Sequence, residues 1–117
     1  MATKIKLKRP NKYRAKRVVL DGIGFHSQGE ATRYAALALL QRAGEISALC
    51  TQVKFPLHAP SGDLIGTYIA DYTYAESGEH VVEDFKGFET DLFRWKRKHL
   101  EFEYDLKLRV TRAKKVK

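Results

Sequence analysis

The chain has 117 residues, 44% of them hydrophobic, which is material for one modest core rather than two. Its formal net charge is +8, from 22 Lys and Arg against 14 Asp and Glu. No run approaches the ~18 apolar residues of a membrane span, and no apolar segment follows the basic N-terminus as it does in a secretory signal. The single cysteine, Cys50, excludes an internal disulfide and a Cys-based zinc cluster, and 11% aromatics argue against wholesale disorder. The expectation is a basic domain of a reducing compartment with no membrane partner.

The charge is unevenly placed. Residues 1–17 carry Lys4, Lys6, Lys8, Arg9, Lys12, Arg14, Lys16 and Arg17 with no acid, and residues 109–117 carry five more basic side chains with no acid. The intervening body holds nine basic and all fourteen acidic residues, a net of −5. Basic arms on an acidic body suit a polyphosphate partner, because each phosphate neutralised releases counterions. Solubilising tails are the plainer alternative. Neither tail has the apolar stripe of a membrane-surface helix. The reading is a basic arm over 1–16, a folded domain over 17–111 and a basic tail over 112–117.

The folded part opens on Val18-Val19-Leu20 and Ile23-Gly24-Phe25 around Asp21-Gly22, a tight hairpin signal. Ser27-Gln28-Gly29-Glu30 has the capping-box pattern and opens a helix over about 28–43 that stops at Gly44. Three strands are expected at about 50–58, 64–75 and 81–86, separated by Pro60-Ser61-Gly62-Asp63 and Ser77-Gly78. Thr90 caps a second helix over 91–104, and a last strand is expected at 106–110. The order β-hairpin, α, β, β, β, α, β predicts an α/β or α+β fold with a mixed sheet flanked by helices.

Four residues carry chemistry: Glu30, Asp71, Asp84 and Lys86. Asp71 stands inside a strand of β-branched and aromatic residues, where aspartate is depleted. Strand alternation puts Asp84 and Lys86 on one face and Glu83 and Phe85 on the other. Pairing across the Glu76–Glu79 turn would set Asp71 beside Asp84. Adjacent carboxylates repel unless neutralised, and oxygen donors select Mg²⁺ or Mn²⁺. Lys86 is then placed to orient a water or to balance charge on a phosphate, and Glu30 to reach the same cation. Each has a bland alternative. The capping box alone accounts for Glu30, and Asp84 with Lys86 also reads as an exposed ion pair.

Ile69-Ala70-Asp71 followed by Val81-Val82-Glu83-Asp84-Phe85-Lys86-Gly87 resembles the PD-(D/E)xK nuclease superfamily, and Ser27-x-x-Glu30-Ala31-x-Arg33-Tyr34 resembles the helix that supplies its extra glutamate. Ala70 stands where that motif's name has proline. More closely, residues 12–104 resemble small phage-encoded endonucleases and Holliday-junction resolvase-like proteins. The resemblance implies a restriction-endonuclease-like core and Mg²⁺-dependent hydrolysis of DNA in the cytoplasm of a bacterial host. Asp71, Asp84 and Glu30 would be metal ligands and Lys86 the residue that positions water. A short chain has little surface for reading bases. A structure-selective enzyme acting on four-way junctions as a homodimer is therefore expected. The competing readings are a sequence-specific or nonspecific nicking endonuclease and a non-catalytic DNA-binding module on a degenerate nuclease fold.

The expected DNA contacts are Lys8, Arg9, Lys12, Arg14 and Lys16 in the arm, Arg17 at the start of the domain, and Lys96, Lys98 and His99 on the second helix. Cys50 is expected to be buried. Trp95 reads as core, and Tyr68, Tyr72 and Tyr74 as one packed face of their strand. His26, His58, His80 and His99 are too dispersed for a metal-ligand pattern, and Gln52 reads as a structural strand residue.

Overall fold

A computed structural model of the protein describes residues 17–112. The elements are β1 (Val18–Leu20), β2 (Ile23–Phe25), α1 (Gln28–Arg42), β3 (Ser47–His58), β4 (Leu64–Glu76), β5 (Glu79–Phe85), α2 (Asp91–Tyr104) and β6 (Arg109–Thr111). The fold is α+β. β1 and β2 form a separate hairpin, and β3-β4-β5-β6 form a mixed four-stranded sheet in that order. β3, β4 and β5 run antiparallel in turn, and β6 lies parallel to β5. No helix among the described residues is long and apolar enough to cross a membrane. The arm residues Lys8, Arg9, Lys12, Arg14 and Lys16 lie outside the described residues.

Turn chemistry sets most boundaries. Asp21 and Gly22 both take positive φ, as do Ser77 and Gly78, the geometry that two-residue hairpin loops demand. Ser27 Oγ accepts the Glu30 N–H and Thr90 Oγ1 accepts the Phe93 N–H, so both helices start at the expected caps. Two boundaries differ from expectation by three residues. β3 begins three residues early, with Ala48 in the left-handed region at an irregularity in its register. β6 begins at Arg109 rather than 106. Left-handed Asp105 ends α2, the Leu106 N–H returns to the Glu101 carbonyl, and the Leu108 N–H is taken by the Glu101 carboxylate. Leu106 and Leu108 thus spend their N–H groups on the helix end rather than on the sheet.

The helices cover opposite faces. Consecutive residues of β5 show this, since Val82 packs with Phe93 and Leu100 of α2 while Val81 packs with Ala31 and Leu37 of α1. Tyr68, Tyr72 and Tyr74 are all buried, but they do not share one face. Tyr68 and Ala70 belong to the α2 core, Tyr72 and Tyr74 to the α1 core. The same division falls on β3, with Phe55 and Leu57 toward α2 and Leu49 toward α1. The changeover lies at Gln52, whose φ of 53° is left-handed and which stands between the pairs Thr51↔Tyr72 and Val53↔Ala70, level with Asp71. A left-handed residue interrupts the pleat, so the β3–β4 ribbon changes the core it faces at this point.

Cys50 is exposed, not buried, because it falls on the outward side of edge strand β3 while Leu49 and Thr51 turn in. Trp95 is also not core. The inward residues of α2 are Phe93 and Leu100, and Trp95 is 50% exposed on a neighbouring stripe.

A candidate active site where two strands part

β4 and β5 pair from Glu76↔Glu79 to Tyr72↔Glu83, and the ladder ends there. The next residues are Asp71 and Asp84. Each carboxylate takes the backbone donor that the ladder leaves. Asp84 Oδ1 accepts the Asp71 N–H at 2.8 Å, and Asp71 Oδ2 accepts the Phe85 N–H at 2.8 Å. The two side chains are thereby fixed side by side, as the hairpin argument expects. Asp84 is buried, and its second oxygen accepts the Tyr68 hydroxyl.

Lys86 Nζ lies 3.7 Å from Asp84 Oδ2 and 4.6 Å above the centre of the Phe93 ring. The ring's negative face supports the ammonium while leaving its protons available. Asp84 and Lys86 line a cavity of about 240 Å³ between β4 and α2, walled by Tyr68, Ile69, Leu92, Phe93 and Lys96. Lys96 Nζ donates to the Thr67 carbonyl at 3.0 Å, which holds a second cation beside Lys86.

Burial raises the Asp71 carboxyl well above the usual carboxylate range, and the charges of Asp84 and Glu30 push the same way. Burial also raises Asp84, against the Tyr68 hydroxyl, the Asp71 N–H and Lys86. Burial and the neighbouring Asp84 charge raise the Tyr68 hydroxyl, so it remains a donor to Asp84. Removing that donor leaves a buried carboxylate one bond short. Tyr68→Phe should therefore lower stability by about 1.5–3 kcal/mol, the worth of a hydrogen bond to a charged group, read as an earlier midpoint in urea with an unchanged slope.

Glu30 stands in the first turn of α1. Its Oε1 accepts the His26 N–H at 3.3 Å, one residue before the cap, so the capping role is real in modified form. Its backbone carbonyl accepts the Tyr72 hydroxyl at 2.6 Å. That bond ties the helix start to β4 next to Asp71. Gly29 permits the approach on the other side, since a Cβ there would lie 2.5 Å from the Phe85 ring. Among the described residues no group of three or more His, Cys, Asp or Glu side chains is gathered to hold a metal ion. Asp71 and Asp84 are brought together, and the Glu30 charge lies within electrostatic range of Asp71.

Glu83 belongs elsewhere. It is fully buried on the α1 face, where Arg33 grips both its oxygens at 2.6 and 2.9 Å and the Tyr74 and Thr111 hydroxyls donate to it. Burial acts to raise its carboxyl, but the Arg33 fork and the Tyr74 hydroxyl outweigh this and hold it below the ordinary value. Sequence reasoning chose Asp84 over Glu83 but did not find this clamp. The legible signal was a glutamate inside the apolar run of β5, which demands a cation, with Arg33 one helical turn beyond Glu30.

The basic candidates divide. Arg17 is exposed just before β1, and Lys98 is exposed on α2. Lys96 stands in the cavity wall. His99 is turned to structure: its Nε2 lies 2.9 Å from the His58 carbonyl, and Glu103 binds both histidines. Two histidines that the sequence spaces far apart thus meet at one carboxylate and staple β3 to α2.

No curated protein and no solved structure matches the chain. One family match extends over residues 10–117, which takes in Asp71, Asp84, Lys86, both helices and the whole sheet; the chain belongs to the family described as protein of unknown function, DUF1064.

Proposed function

We propose that the protein is a Mg²⁺-dependent endodeoxyribonuclease of PD-(D/E)xK type, in which Asp71 and Asp84 hold the metal and Lys86 positions the attacking water. The observation that carries this reading is the Asp71–Asp84 pair, locked side by side where β4 and β5 part, with Asp84 lining a cavity that Lys86 also lines. The donor set fits the ion. A buried and a half-buried carboxyl with raised proton affinity would be relieved by a divalent cation, and all-oxygen ligands suit Mg²⁺ or Mn²⁺. Such an ion, when bound, polarises a phosphoryl oxygen and acidifies a water.

The chain's own residues supply the rest. The amides of Asp71 and Phe85 fix the two carboxylates, so little reorganises during reaction. Lys86, supported on Phe93, holds a water and offsets charge on the phosphate, with Lys96 beside it. Glu30 would complete the shell from α1. The basic arm and tail hold the duplex arms. Two such chains would supply the paired cuts that a four-way junction needs.

A non-catalytic DNA-binding module is the second reading, favoured by the engagement of Glu30 with the His26 amide. Labelled four-way junctions, with linear duplex, fork and single-strand controls, separate the two. Paired nicks near the branch in Mg²⁺, lost in EDTA and reduced roughly 100- to 1,000-fold in Lys86→Met, are expected from the loss of one electrostatic stabiliser. Tight binding without cleavage in either Mg²⁺ or Mn²⁺ would establish the binding module instead.

A further inference from the structure

Beside the candidate active site, α2 carries an apolar stripe that the core does not use. Leu92 is 62% exposed, Trp95 50% and Phe102 88%, and Phe88, two residues beyond Lys86, is 77% exposed. Leu92, Trp95, His99 and Phe102 recur at spacings of three and four, which places them in one row along the helix. Leu92 is also part of the cavity wall, opposite the half-exposed Ile69 of β4. An apolar row of this kind is costly beside a site that handles phosphates, unless something flat and apolar covers it there.

Trp95 is held in place for such contact. Its ring leans on that of His99 at 5.6 Å between centroids, and His99 is itself fixed by the His58 carbonyl and Glu103. One side of the indole is supported by His99 while half its surface remains exposed. The charges around the row are cationic on the cavity side, where Lys86 and Lys96 stand, and Lys98 is exposed on the same helix. The nearby acids Glu89 and Asp91 are engaged by Arg94, and Glu89 also by Arg112. A fixed aromatic ring bordered by cations is the arrangement that binds single strands, with bases on the ring and the backbone along the charges. A protein partner would need acids to meet Lys86 and Lys96. An intact duplex presents phosphates outward and keeps its base faces stacked.

We infer that the Trp95–Leu92 surface is a stacking platform for unpaired DNA bases next to the scissile phosphate, so that the substrate class is DNA with unstacked bases, at branch points or single-stranded segments. This inference rests on the nuclease reading for the phosphate's position, but its test does not require cleavage. Trp95 is the chain's one tryptophan, so its emission reports this surface alone.

The full chain in EDTA would be titrated with a single-stranded oligodeoxynucleotide, a four-way junction and a blunt duplex of equal length. Trp95 emission should be quenched by the first two and little changed by the duplex. Fluorescence anisotropy with a labelled single strand should show binding weakened roughly tenfold in Trp95→Ala, the effect of losing one base–aromatic stack. Leu92→Ala should weaken quenching in the same order of substrates. Equal quenching by the duplex, unchanged affinity in Trp95→Ala, or stronger quenching by single-stranded RNA would overturn the inference. So would a Trp95 emission that shifts with protein concentration alone, which would assign the row to a second copy of the chain. Failure of the nuclease reading shows separately, as quenching without cleavage when Mg²⁺ is restored.

Discussion

Replacing Asp84 by Asn should abolish Mg²⁺-dependent cleavage while leaving the fold intact. The loss should exceed ~100-fold, since removing even an outer-shell partner of a metal ligand costs 10–100-fold. The fold survives because the amide can keep the neighbouring bonds. The Asn carboxamide oxygen still accepts the Asp71 N–H, and its NH₂ faces the Tyr68 hydroxyl, which can accept as well as donate. In the absence of metal the variant should melt at or above the temperature of the unaltered protein, because the like charge beside Asp71 is gone. Saturating Mg²⁺ should raise the melting temperature of the unaltered protein and not that of the variant. A ligand at a hundred times its Kd stabilises by about 2.7 kcal/mol. Melting curves with and without Mg²⁺, run beside the cleavage assay, check all three points. A variant that still cuts would remove Asp84 from the chemistry, and a Mg²⁺ shift that survives in the variant would place the ion elsewhere.

The second large effect lies on the opposite face. Arg33→Ala should be among the most destabilising substitutions in the protein, by about 3–5 kcal/mol, because it leaves the fully buried Glu83 carboxylate without its cation. In a domain of this size that is a fall in melting temperature of more than ~10 °C. Replacing both partners, Arg33→Met with Glu83→Leu, should restore much of the loss, because a well-packed apolar pair often equals a buried ion pair. Thermal melts of the single and double variants test this. Equal melting of Arg33→Ala and the unaltered protein would mean the fork contributes nothing. The double variant also carries a functional consequence. The Arg33–Glu83 fork and the Tyr72 bond to the Glu30 carbonyl together hold the first turn of α1 against the strands that bear Asp71 and Asp84. A refolded double variant with reduced cleavage would therefore show that the fork positions Glu30 as well as stabilising the core.

Much of this arrangement was legible because it follows from local chemistry. The Asp21-Gly22 and Ser77-Gly78 turns, the Ser27 and Thr90 caps and the period-two pattern around Asp84 fix each element within its own neighbourhood. The Glu76–Glu79 turn then sets the register that brings Asp71 level with Asp84, so half the candidate site is encoded in a hairpin. What went wrong was of another kind. Period two carries no information about a left-handed residue, so it put Tyr68 and Tyr72 on one face, whereas the ribbon changes face level with left-handed Gln52 and divides them between two cores. An apolar residue on a helix also does not announce which of two stripes meets the sheet, and Trp95 and Phe102 lie on the one that does not.

The sequence by itself determined the element order, the helix caps, the hairpin that pairs Asp71 with Asp84, and the placement of Asp84 and Glu83 on opposite faces of β5. Those depend on interactions within a few residues or across a short turn. Only the tertiary structure decided that Arg33 closes on Glu83, that Tyr68 donates to Asp84, that His58 and His99 share Glu103, and that the apolar stripe of α2 stands open beside the cavity. Apart from His99 and Glu103, which are one helical turn apart, those pairings join residues 16 to 50 positions apart or depend on how a whole helix is rotated on the sheet. Both are fixed by the packing of the complete core rather than by any local segment.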